Sequence, residues 1–596
     1  MTKITDWITE EDRREQIREG AKLVIGVEQP NPSEWRLPGK IRVVVYRGRL
    51  YCTKCKSFDC KHVFAVRLVS GLENDVRPKW ASTPQAIGLP AKFPRWRPVQ
   101  AAAITRLLET DKKFIVVEAP TGTGKSLIAA AWQKLTGKQM LYLCTTKQLQ
   151  DQLVDDFSYA SILKGRANYP TRNDPTKTCA DCEKRGDGTK CSLCWVRDRE
   201  DGVPIHECPY MEAKEKLLGS QFGIVNTALY LLEANYVGRL SGWPIVVADE
   251  ADLLEQALMS HIEVVISHYF VKRFELKPPD LITKQESWRV WAEGLRDKLD
   301  GYIRYEGNKW DPKFLRRVEG LVKRIKYFIK HSKENVWVNC TRDHDWKNTW
   351  VFRPVRVAEF AKDNLWKHGQ RWLMMSAYIP IDAFCRELGL DRGQVEYIRL
   401  PSAFPVDRRP IYYQPATAMS YKTRATTTKD MTVAVAKIVD EHPGKKILIH
   451  TVSYWLTRRI VDALDSSRAV FSYFSASDRS SALDDFRAGP SGSVLVAASM
   501  ERGVDLPYDD CNIVIMPKVP YPPLGDQQVS ARLYSQQDGQ LWYRLQTVRS
   551  IVQASGRAMR HPDDYCATYI LDEEFGKLYN KNKDLFPSWW RASLHK

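Results

Sequence analysis

The sequence lacks any apolar run long enough to cross a membrane, since a span needs roughly 18 consecutive apolar residues. Its N-terminal stretch, MTKITDWITEEDRREQIREG, is charged and lacks the apolar segment of a secretory signal. Internal repeats and low-complexity tracts are lacking too, which argues against a solenoid or a fibrous protein. We therefore expect a globular, cytoplasmic protein with no membrane partner.

Acidic residues are in deficit. The 596 residues include 72 Asp and Glu against 90 Lys and Arg, which gives a formal charge of +18. Such a basic excess favours a polyanionic partner, most commonly a nucleic acid backbone, although a merely soluble basic protein would also have it. The length and the 43% of apolar residues indicate several domains with their own cores.

A glycine-rich loop lies in VVEAPTGTGKS (116–126), between an apolar strand candidate and a helix candidate. Gly122 and Gly124 allow the backbone to bend so that its N–H groups point at phosphate. Lys125 supplies a charge for the terminal phosphates, and the Ser126 hydroxyl is suited to ligate Mg²⁺. The pattern predicts an ATP-binding loop, although alanine stands at its first position where the strict pattern has glycine.

Two adjacent carboxylates end a second apolar strand candidate, in VVADEAD (246–252). Asp249 is predicted to hold Mg²⁺, directly or through water. Glu250 is predicted to orient and deprotonate the attacking water. Together with the loop, these carboxylates predict an ATP hydrolase.

Further motifs follow in a recognisable order. They are RPVQ (97–100), LYLCTTKQLQDQL (141–153), GRANY (165–169), CPYMEAK (208–214), LMMSAYIP (373–380), ERGVDLP (501–507) and QASGRAMR (553–560). Over residues 93–596 this order resembles the superfamily 2 DNA helicases of the XPD/DinG type, which carry an iron–sulfur cluster. One departure is Tyr378, which stands where that family has threonine.

The resemblance implies roles for individual residues. Gln553 would face the nucleotide or relay closure of the cleft, and Arg557 and Arg560 would act as arginine fingers across it. The catalytic set is then Lys125, Asp249, Glu250, Gln553, Arg557 and Arg560. The residues expected at the nucleotide, or coupling DNA contact to it, are Arg97, Gln100, Thr121, Gly122, Thr123, Gly124, Lys125, Ser126, Gly503 and Asp505.

Five cysteines lie between the loop and the acidic motif: Cys179, Cys182, Cys191, Cys194 and Cys208. Their position resembles the iron–sulfur insert of the family, which implies a [4Fe–4S] cluster held by four of the five. The preferred set is the last three cysteines plus one of the first two. The two Cys-x₂-Cys pairs also have the spacing of a zinc site, so zinc is the alternative.

A second cluster comprises Cys52, Cys55, Cys60 and His62. Four such ligands in one turn-rich stretch predict tetrahedral Zn²⁺. The segment CKHVFAV resembles the second half of a SWIM zinc finger, whereas the first half has Cys-x₂-Cys in place of Cys-x-Cys. The module is expected to bind DNA, to bind a protein partner, or only to fold around the metal.

The expected fold class is α/β with parallel sheets, because strand and helix candidates alternate in two series, and the resemblance implies that these series are two RecA-like motor domains. In DPKFLRRVEGLVKRIKYFIK (311–330), apolar residues recur at helical spacing, and the basic face is either solvated or a nucleic-acid surface. The expected domains are a SWIM-like zinc module (1–75), a linker (76–92), motor domain 1 (93–255, with an iron–sulfur insert at 165–215), a helical arch-like insert (256–365), the remainder of motor domain 1 (366–404) and motor domain 2 (405–596).

Two functions fit these patterns. The first is an ATP-dependent DNA helicase that acts as a monomeric motor on single-stranded and forked DNA, with 5′-to-3′ movement implied by the resemblance. The second is a DNA-stimulated ATPase that remodels or binds DNA as a subunit of a larger complex, without separating strands.

Overall fold

Two parallel β-sheets carry most of the chain in a computed structural model of the protein. The structure describes residues 10–595 except 32, 47, 71, 73–77, 183–195, 199–203, 207, 282, 342–348, 403, 421, 465–466, 476, 499–509 and 557–563. Each of the two sheets has seven described strands, all of them parallel. This confirms the predicted α/β class with two RecA-like motor domains.

The N-terminal part folds as a small separate sheet with two helices. Its elements are α1 (Glu10–Leu23), β1 (Glu28–Asn31), β2 (Glu34–Leu37), β3 (Ile41–Tyr46), β4 (Arg49–Cys52) and α2 (Lys61–Val69). The four strands pair in chain order, with each described pairing antiparallel. Val43 and Val63 are fully buried in the core of this module. The sequence predicted β3, β4 and α2 but missed the other elements, whose residues are mostly polar.

The first motor sheet begins after this module. The elements up to the first long insert are α3 (Pro98–Glu109), β5 (Phe114–Glu118), α4 (Lys125–Thr136), β6 (Met140–Cys144), α5 (Lys147–Asp156), β7 (Ser161–Leu163), β8 (Val196–Asp198), β9 (Pro204–His206), α6 (Pro209–Leu218), β10 (Phe222–Asn226), α7 (Thr227–Leu232), β11 (Trp243–Asp249) and α8 (Leu254–Ile262). Strands β5 and β6 are buried along their whole length, as is typical of a parallel sheet covered on both faces.

The insert that follows combines helices with a small sheet. Its elements are β12 (Val264–Ile266), α9 (His268–Arg273), α10 (Gln285–Glu306), α11 (Pro312–His331), β13 (Trp337–Thr341) and β14 (Trp350–Pro354). The predicted amphipathic helix is confirmed as α11. The antiparallel sheet, in the order β12-β14-β13, was not predicted. Rings of Trp288 pack on Trp350 and Phe352, so tertiary contacts stabilise strands that local sequence does not reveal.

The chain then returns to the first sheet through α12 (Ala358–Asn364), β15 (Gly369–Ser376), α13 (Ile381–Glu387) and β16 (Val395–Arg399). The completed sheet has the order β16-β5-β15-β11-β6-β10-β7. Strand β15 therefore lies between the strand before the glycine-rich loop and the strand before the two carboxylates. This order brings the ends of three motif-bearing strands together.

The second motor sheet has the order β19-β20-β18-β21-β22-β17-β23. Its elements are β17 (Ile411–Thr417), α14 (Arg424–Glu441), β18 (Ile447–His450), α15 (Tyr454–Val461), β19 (Val470–Ser472), α16 (Arg479–Ala488), β20 (Val494–Ala497), β21 (Ile513–Met516), α17 (Gln527–Ser535), α18 (Gly539–Ser555), β22 (Ala567–Asp572), α19 (Glu573–Lys581), α20 (Ser588–Arg591) and β23 (Leu594–His595). Across the described residues, no helix is both long and apolar enough to cross a membrane.

Candidate active site and metal centres

The glycine-rich loop turns sharply between β5 and α4. Gly122 and Gly124 have φ angles of 72° and 81°, a region that favours glycine. Lys125 is the first residue of α4, so the loop leads directly into the helix N-terminus. The backbone N–H of Ala119 donates to the carbonyl of Ser376 (2.8 Å), which fixes the loop to the end of β15. This is the strand–loop–helix geometry that the sequence predicts for a phosphate site.

Two side chains hold the loop through hydrogen bonds: Arg97, just before α3, and Gln100, in the first turn of α3. The side-chain amide of Gln100 donates to the carbonyl of Thr123 (2.9 Å), and its oxygen accepts from the backbone N–H of Arg97 (3.0 Å). The guanidinium of Arg97 donates to the carbonyl of Gly122. Burial lowers the pKa of Arg97 below its usual value. Both predicted nucleotide residues therefore contact the loop itself.

The two predicted carboxylates lie at the carboxyl end of β11. Asp249 accepts hydrogen bonds from the Tyr142 hydroxyl (3.0 Å) and from the backbone N–H of Glu250 (2.9 Å). Glu250 has a φ of 48°, which is uncommon for a residue with a side chain. Its Oε1 lies 3.7 Å from Nζ of Lys125, whose side chain is 10% exposed. The predicted catalytic lysine and the predicted general base are thus direct neighbours.

Tyr142 was not predicted. It lies inside β6 and is fully buried. Burial, with the adjacent charge of Asp249, raises the pKa of Tyr142 well above its usual value, so it stays a neutral hydrogen-bond donor. The same hydroxyl interacts with Ser126, the predicted Mg²⁺ ligand on α4. A buried tyrosine thus joins the hydroxyl and the carboxylate that would hold the ion.

A third acidic residue of the same motif links the two motor sheets. The Ser376 hydroxyl, at the end of β15, donates to Oδ1 of Asp252 (2.6 Å). The side-chain amide of Gln553, on α18, donates to Oδ2 of Asp252 (2.8 Å). On the loop side, the Thr121 hydroxyl donates to the carbonyl of Gly556 (3.2 Å). The predicted late motif therefore meets both early motifs across one cleft.

A buried ion network lies next to these contacts. Arg549 of α18 donates to Oε2 of Glu387 of α13 (2.9 Å), and both side chains are almost fully buried. Arg532 lies 3.8 Å from Glu255, which also accepts from the indole N–H of Trp542 (3.3 Å). Burial and the charge of Glu387 raise the pKa of Glu255 to about 7. These residues belong to no motif and were not predicted from the sequence.

A cavity of about 430 Å³ opens beside Asp249 and Glu250. Its lining includes Asn226, which ends β10, and Arg324 of α11. The basic face of α11 therefore reaches the carboxyl edge of the first motor sheet. Other basic residues of this helix have protein partners. They are Arg316, which donates to the Cys182 carbonyl, Arg317, over the rings of Tyr269 and Phe270, and Lys326, paired with Asp300.

The N-terminal ligand cluster has the geometry of a metal site. Ligand atoms of Cys52, Cys55, Cys60 and His62 all lie within 4.8 Å of one another. The three sulfurs are 3.6, 3.1 and 3.7 Å from Nδ1 of His62. Around zinc, with bonds of about 2.3 Å to sulfur and about 2.0 Å to nitrogen, tetrahedral ligands stand roughly 3.5–3.8 Å apart. The donor set and its spacing therefore fit the predicted zinc.

The insert cysteines are only partly described. The sulfurs of Cys179 and Cys208 lie 3.9 Å apart, and Cys182 is close enough to act on the same thiol electrostatically. This brings three of the five predicted ligands to one place. Cys191 and Cys194 lie outside the described residues, as do Gly503, Asp505, Arg557 and Arg560.

Sequence comparison identifies a helicase domain in each half of the chain. The profile of the DEAD/DEAH box helicase family matches residues 97–277, and that of the helicase C-terminal domain matches residues 435–593. The first match contains the glycine-rich loop and the carboxylates, and the second contains Gln553. The class defined by this fold and site is a two-domain, ATP-dependent helicase enzyme.

Individual relatives point to the same class. The Escherichia coli (strain K12) protein ATP-dependent DNA helicase YoaA is 21% identical over 583 residues, which is 79% of this chain and 90% of that protein. The human protein regulator of telomere elongation helicase 1 is 26% identical over 174 residues, 26% of this chain and 14% of its own length. The Gallus gallus Fanconi anemia group J protein homolog is 30% identical over 121 residues, 18% of this chain and 10% of its own length. The chain thus matches only a small part of several relatives.

Solved structures share the fold. One described as XPD_Helicase has a TM-score of 0.56 at 17% identity, covering 84% of this chain and all of the other. The S. tokodaii Xpd4 structure has a TM-score of 0.51 at 14% identity, with 84% of this chain and all of the other covered. The chain therefore carries the DEAD/DEAH box and helicase C-terminal domains, is homologous to helicases of the XPD/DinG type and shares the fold of the XPD structures.

Proposed function

We propose that this protein is a DNA helicase that hydrolyses ATP between its two motor domains and moves along single-stranded DNA. The observation that carries the proposal is the pair of contacts across the cleft, Thr121 to Gly556 and Gln553 to Asp252. Because the glycine-rich loop and the acidic motif each contact the second motor domain, a change in the bound nucleotide would change the contacts between the two domains. Hydrolysis then drives relative motion of the domains.

In this proposal each residue near the loop has a defined task. Lys125 neutralises the terminal phosphates, and Ser126 with Asp249 holds Mg²⁺, which supplies charge stabilisation to the transferring phosphoryl group. Glu250 accepts the proton of the attacking water. Gln553 links closure of the cleft to the acidic motif through its hydrogen bond to Asp252. Arg557 and Arg560, two and five residues after the end of α18 in the sequence, are proposed to supply the arginine fingers, and Gly503 and Asp505 to couple DNA contact to ATP.

The carboxyl edge of the second motor sheet supports a path for a single strand. Trp455, in the helix after β18, is 39% exposed and lies under the guanidinium of Arg424 (5.3 Å). Phe474, just after β19, is equally exposed and lies under Arg458 (4.9 Å). Exposed rings beside cations bind bases by stacking and phosphates by charge. The 5′-to-3′ polarity rests on the family resemblance.

Two metal centres complete the proposal, zinc in the N-terminal module and an iron–sulfur cluster in the insert, with zinc as the alternative there. Metal analysis of anaerobically purified protein, with visible absorbance, tests both. Iron and zinc in one chain support the assignment, and loss of the iron in Cys208→Ser, with zinc retained, locates it. Zinc alone would overturn the iron–sulfur assignment.

Strand displacement tests the activity. Purified protein is given duplexes with a single-stranded 5′ tail, a 3′ tail or no tail, with ATP and Mg²⁺. The proposal predicts displacement only from the 5′ tail, and none with Lys125→Ala. DNA-stimulated hydrolysis without displacement of any substrate would instead favour the ATPase that remodels DNA as a subunit.

A further inference from the structure

We propose that the solvent-facing side of the N-terminal sheet binds single-stranded DNA by stacking bases on Tyr46, Tyr51 and Phe58. This surface, the aromatic face, lies outside the nucleotide cleft, and the choice of DNA as ligand rests on the proposed function. It would hold the strand on a site separate from the motor.

The strand register puts the two tyrosines on one side of the sheet. Val44 pairs with Tyr51 and Tyr46 pairs with Arg49 across β3 and β4. Directly paired residues share a face, and alternate residues along a strand do too. The opposite side carries Val43, which is fully buried. The tyrosine side therefore faces away from the core of the module.

Phe58 joins the tyrosines from the metal-binding loop. Its ring centroid is 5.0 Å from that of Tyr51 and 6.5 Å from that of Tyr46, and the two tyrosine rings are 5.8 Å apart. Tyr46 is 50% exposed. Because Phe58 lies between Cys55 and Cys60, a metal bound there would fix the position of the third ring. The result is a contiguous aromatic surface on which Tyr46 is the most exposed ring.

The charges around the rings are mainly positive. Arg36 pairs with Arg42 across β2 and β3 on the same face, and the Arg49 guanidinium lies 4.9 Å from the Phe58 ring centre. Exposed lysines in the metal loop add to this charge; they are Lys54 and Lys56. The two nearby acids are paired: Glu34 with Arg36 (3.2 Å), and Asp59 with Arg67 (3.1 Å) and Arg49 (3.9 Å).

Rings and cations together specify the ligand. A duplex keeps its bases stacked inside, whereas a single strand offers both base faces and a flexible chain of phosphates. Aromatic platforms flanked by Lys and Arg bind such strands with little sequence preference. A polyanion also matches the net positive charge around the rings better than an apolar protein segment would.

The module is docked on the first motor sheet, which gives the surface a fixed place. The backbone N–H of Gly26 donates to the carbonyl of Arg399 at the end of β16 (3.4 Å), and the Arg399 side chain lies 3.4 Å from Glu28. A strand on the aromatic face would therefore be held at a constant distance from the first motor domain. It would add affinity without entering the cleft.

The test uses the full-length protein and fluorescence anisotropy with a labelled oligo-dT of about 30 nucleotides. Tyr46→Ala with Tyr51→Ala is expected to weaken binding by about 10- to 100-fold. The control is Tyr305→Ala, an exposed tyrosine in the last turn of α10. Oligo-U in a parallel series shows whether RNA is held as well; tighter binding to oligo-U that depends on the rings would overturn DNA as the ligand.

Two further readouts keep the outcome decisive. The maximal ATPase rate at saturating DNA should be unchanged in the double variant; if the wild type has no DNA-stimulated ATPase, the proposed function fails rather than this inference. Ultraviolet cross-linking of wild-type protein to oligo-dT, followed by peptide mapping, should label residues 42–61 whatever the folding of the variants. An affinity within twofold of wild type, or no cross-link in that segment, would overturn the proposal.

Discussion

The Arg549–Glu387 pair offers a direct test of how the two motor domains close. In Arg549→Met, the guanidinium is replaced by an apolar chain of similar length. Glu387, which is 4% exposed, then loses the guanidinium that lies 2.9 Å from its carboxylate, while the carboxylate of Glu255 remains nearby. The closed cleft would bury these carboxylates with less compensation, whereas an open cleft would let them reach water.

The size of the effect follows from that burial. Removing one partner of a buried pair costs about 3–5 kcal/mol, because the other charge stays desolvated. If the cost falls on the closed cleft alone, the closed population falls by at least about 100-fold, since about 1.4 kcal/mol is a factor of ten. We expect the maximal ATPase rate to fall by a similar factor.

The assay is a double-variant cycle on steady-state ATP hydrolysis. Adding Glu387→Met to Arg549→Met removes the stranded carboxylate, and apolar replacement of a whole buried pair is often neutral. The double variant should therefore recover to within about tenfold of wild type. Additive losses, or an Arg549→Met rate within twofold of wild type, would refute the idea that this pair stabilises closure.

Three further predictions concern single sites. Gly124→Ala should abolish tight ATP binding, measured by titration calorimetry, because its Cβ would meet the Gln100 side chain. Gly137→Ala has a similar φ of 63° but open space around the added Cβ, so it should only lower the stability by about 1 kcal/mol, measured by thermal melting. His62→Ala should lower the zinc content by one atom per chain, and Cys385→Ser, a buried cysteine outside both clusters, should not. The pKa of Glu255 is raised from 4.5 to about 7, so the folded state holds this proton more tightly and loses stability as the pH rises through that window. The melting temperature of Glu255→Gln relative to wild type should therefore increase between pH 5 and pH 8, and a flat difference would contradict that pKa.

The positions that we propose for the nucleotide site could be predicted because the sequence signal for them is local. About ten residues are enough to recognise the glycine-rich turn before Lys125, and the same holds for the pair of carboxylates after an apolar strand. The strand order then places them together, since parallel strands end at one edge of the sheet. The structure adds how they are joined, through Ser376 and Asp252, which the sequence could only suggest.

The residues that were missed depend on contacts between distant segments. Glu387 and Arg549 are 162 positions apart and stand in no motif. Tyr142 looks like an ordinary core residue of an apolar strand. The sheet of β12, β13 and β14 is held by tryptophan packing rather than by an alternating pattern. In each case tertiary packing, not local propensity, decides which residues come into contact.

We propose that the site around Lys125 hydrolyses ATP in response to single-stranded DNA. The measurement is the steady-state ATPase rate with and without oligo-dT for wild type, for Lys125→Ala and for Lys138→Ala, an exposed lysine just beyond the same helix. We expect an ATPase rate that rises with oligo-dT in wild type and in Lys138→Ala, and no rate above background in Lys125→Ala. ATP hydrolysis that persists in Lys125→Ala, or that oligo-dT does not stimulate in wild type, would contradict this role of the site.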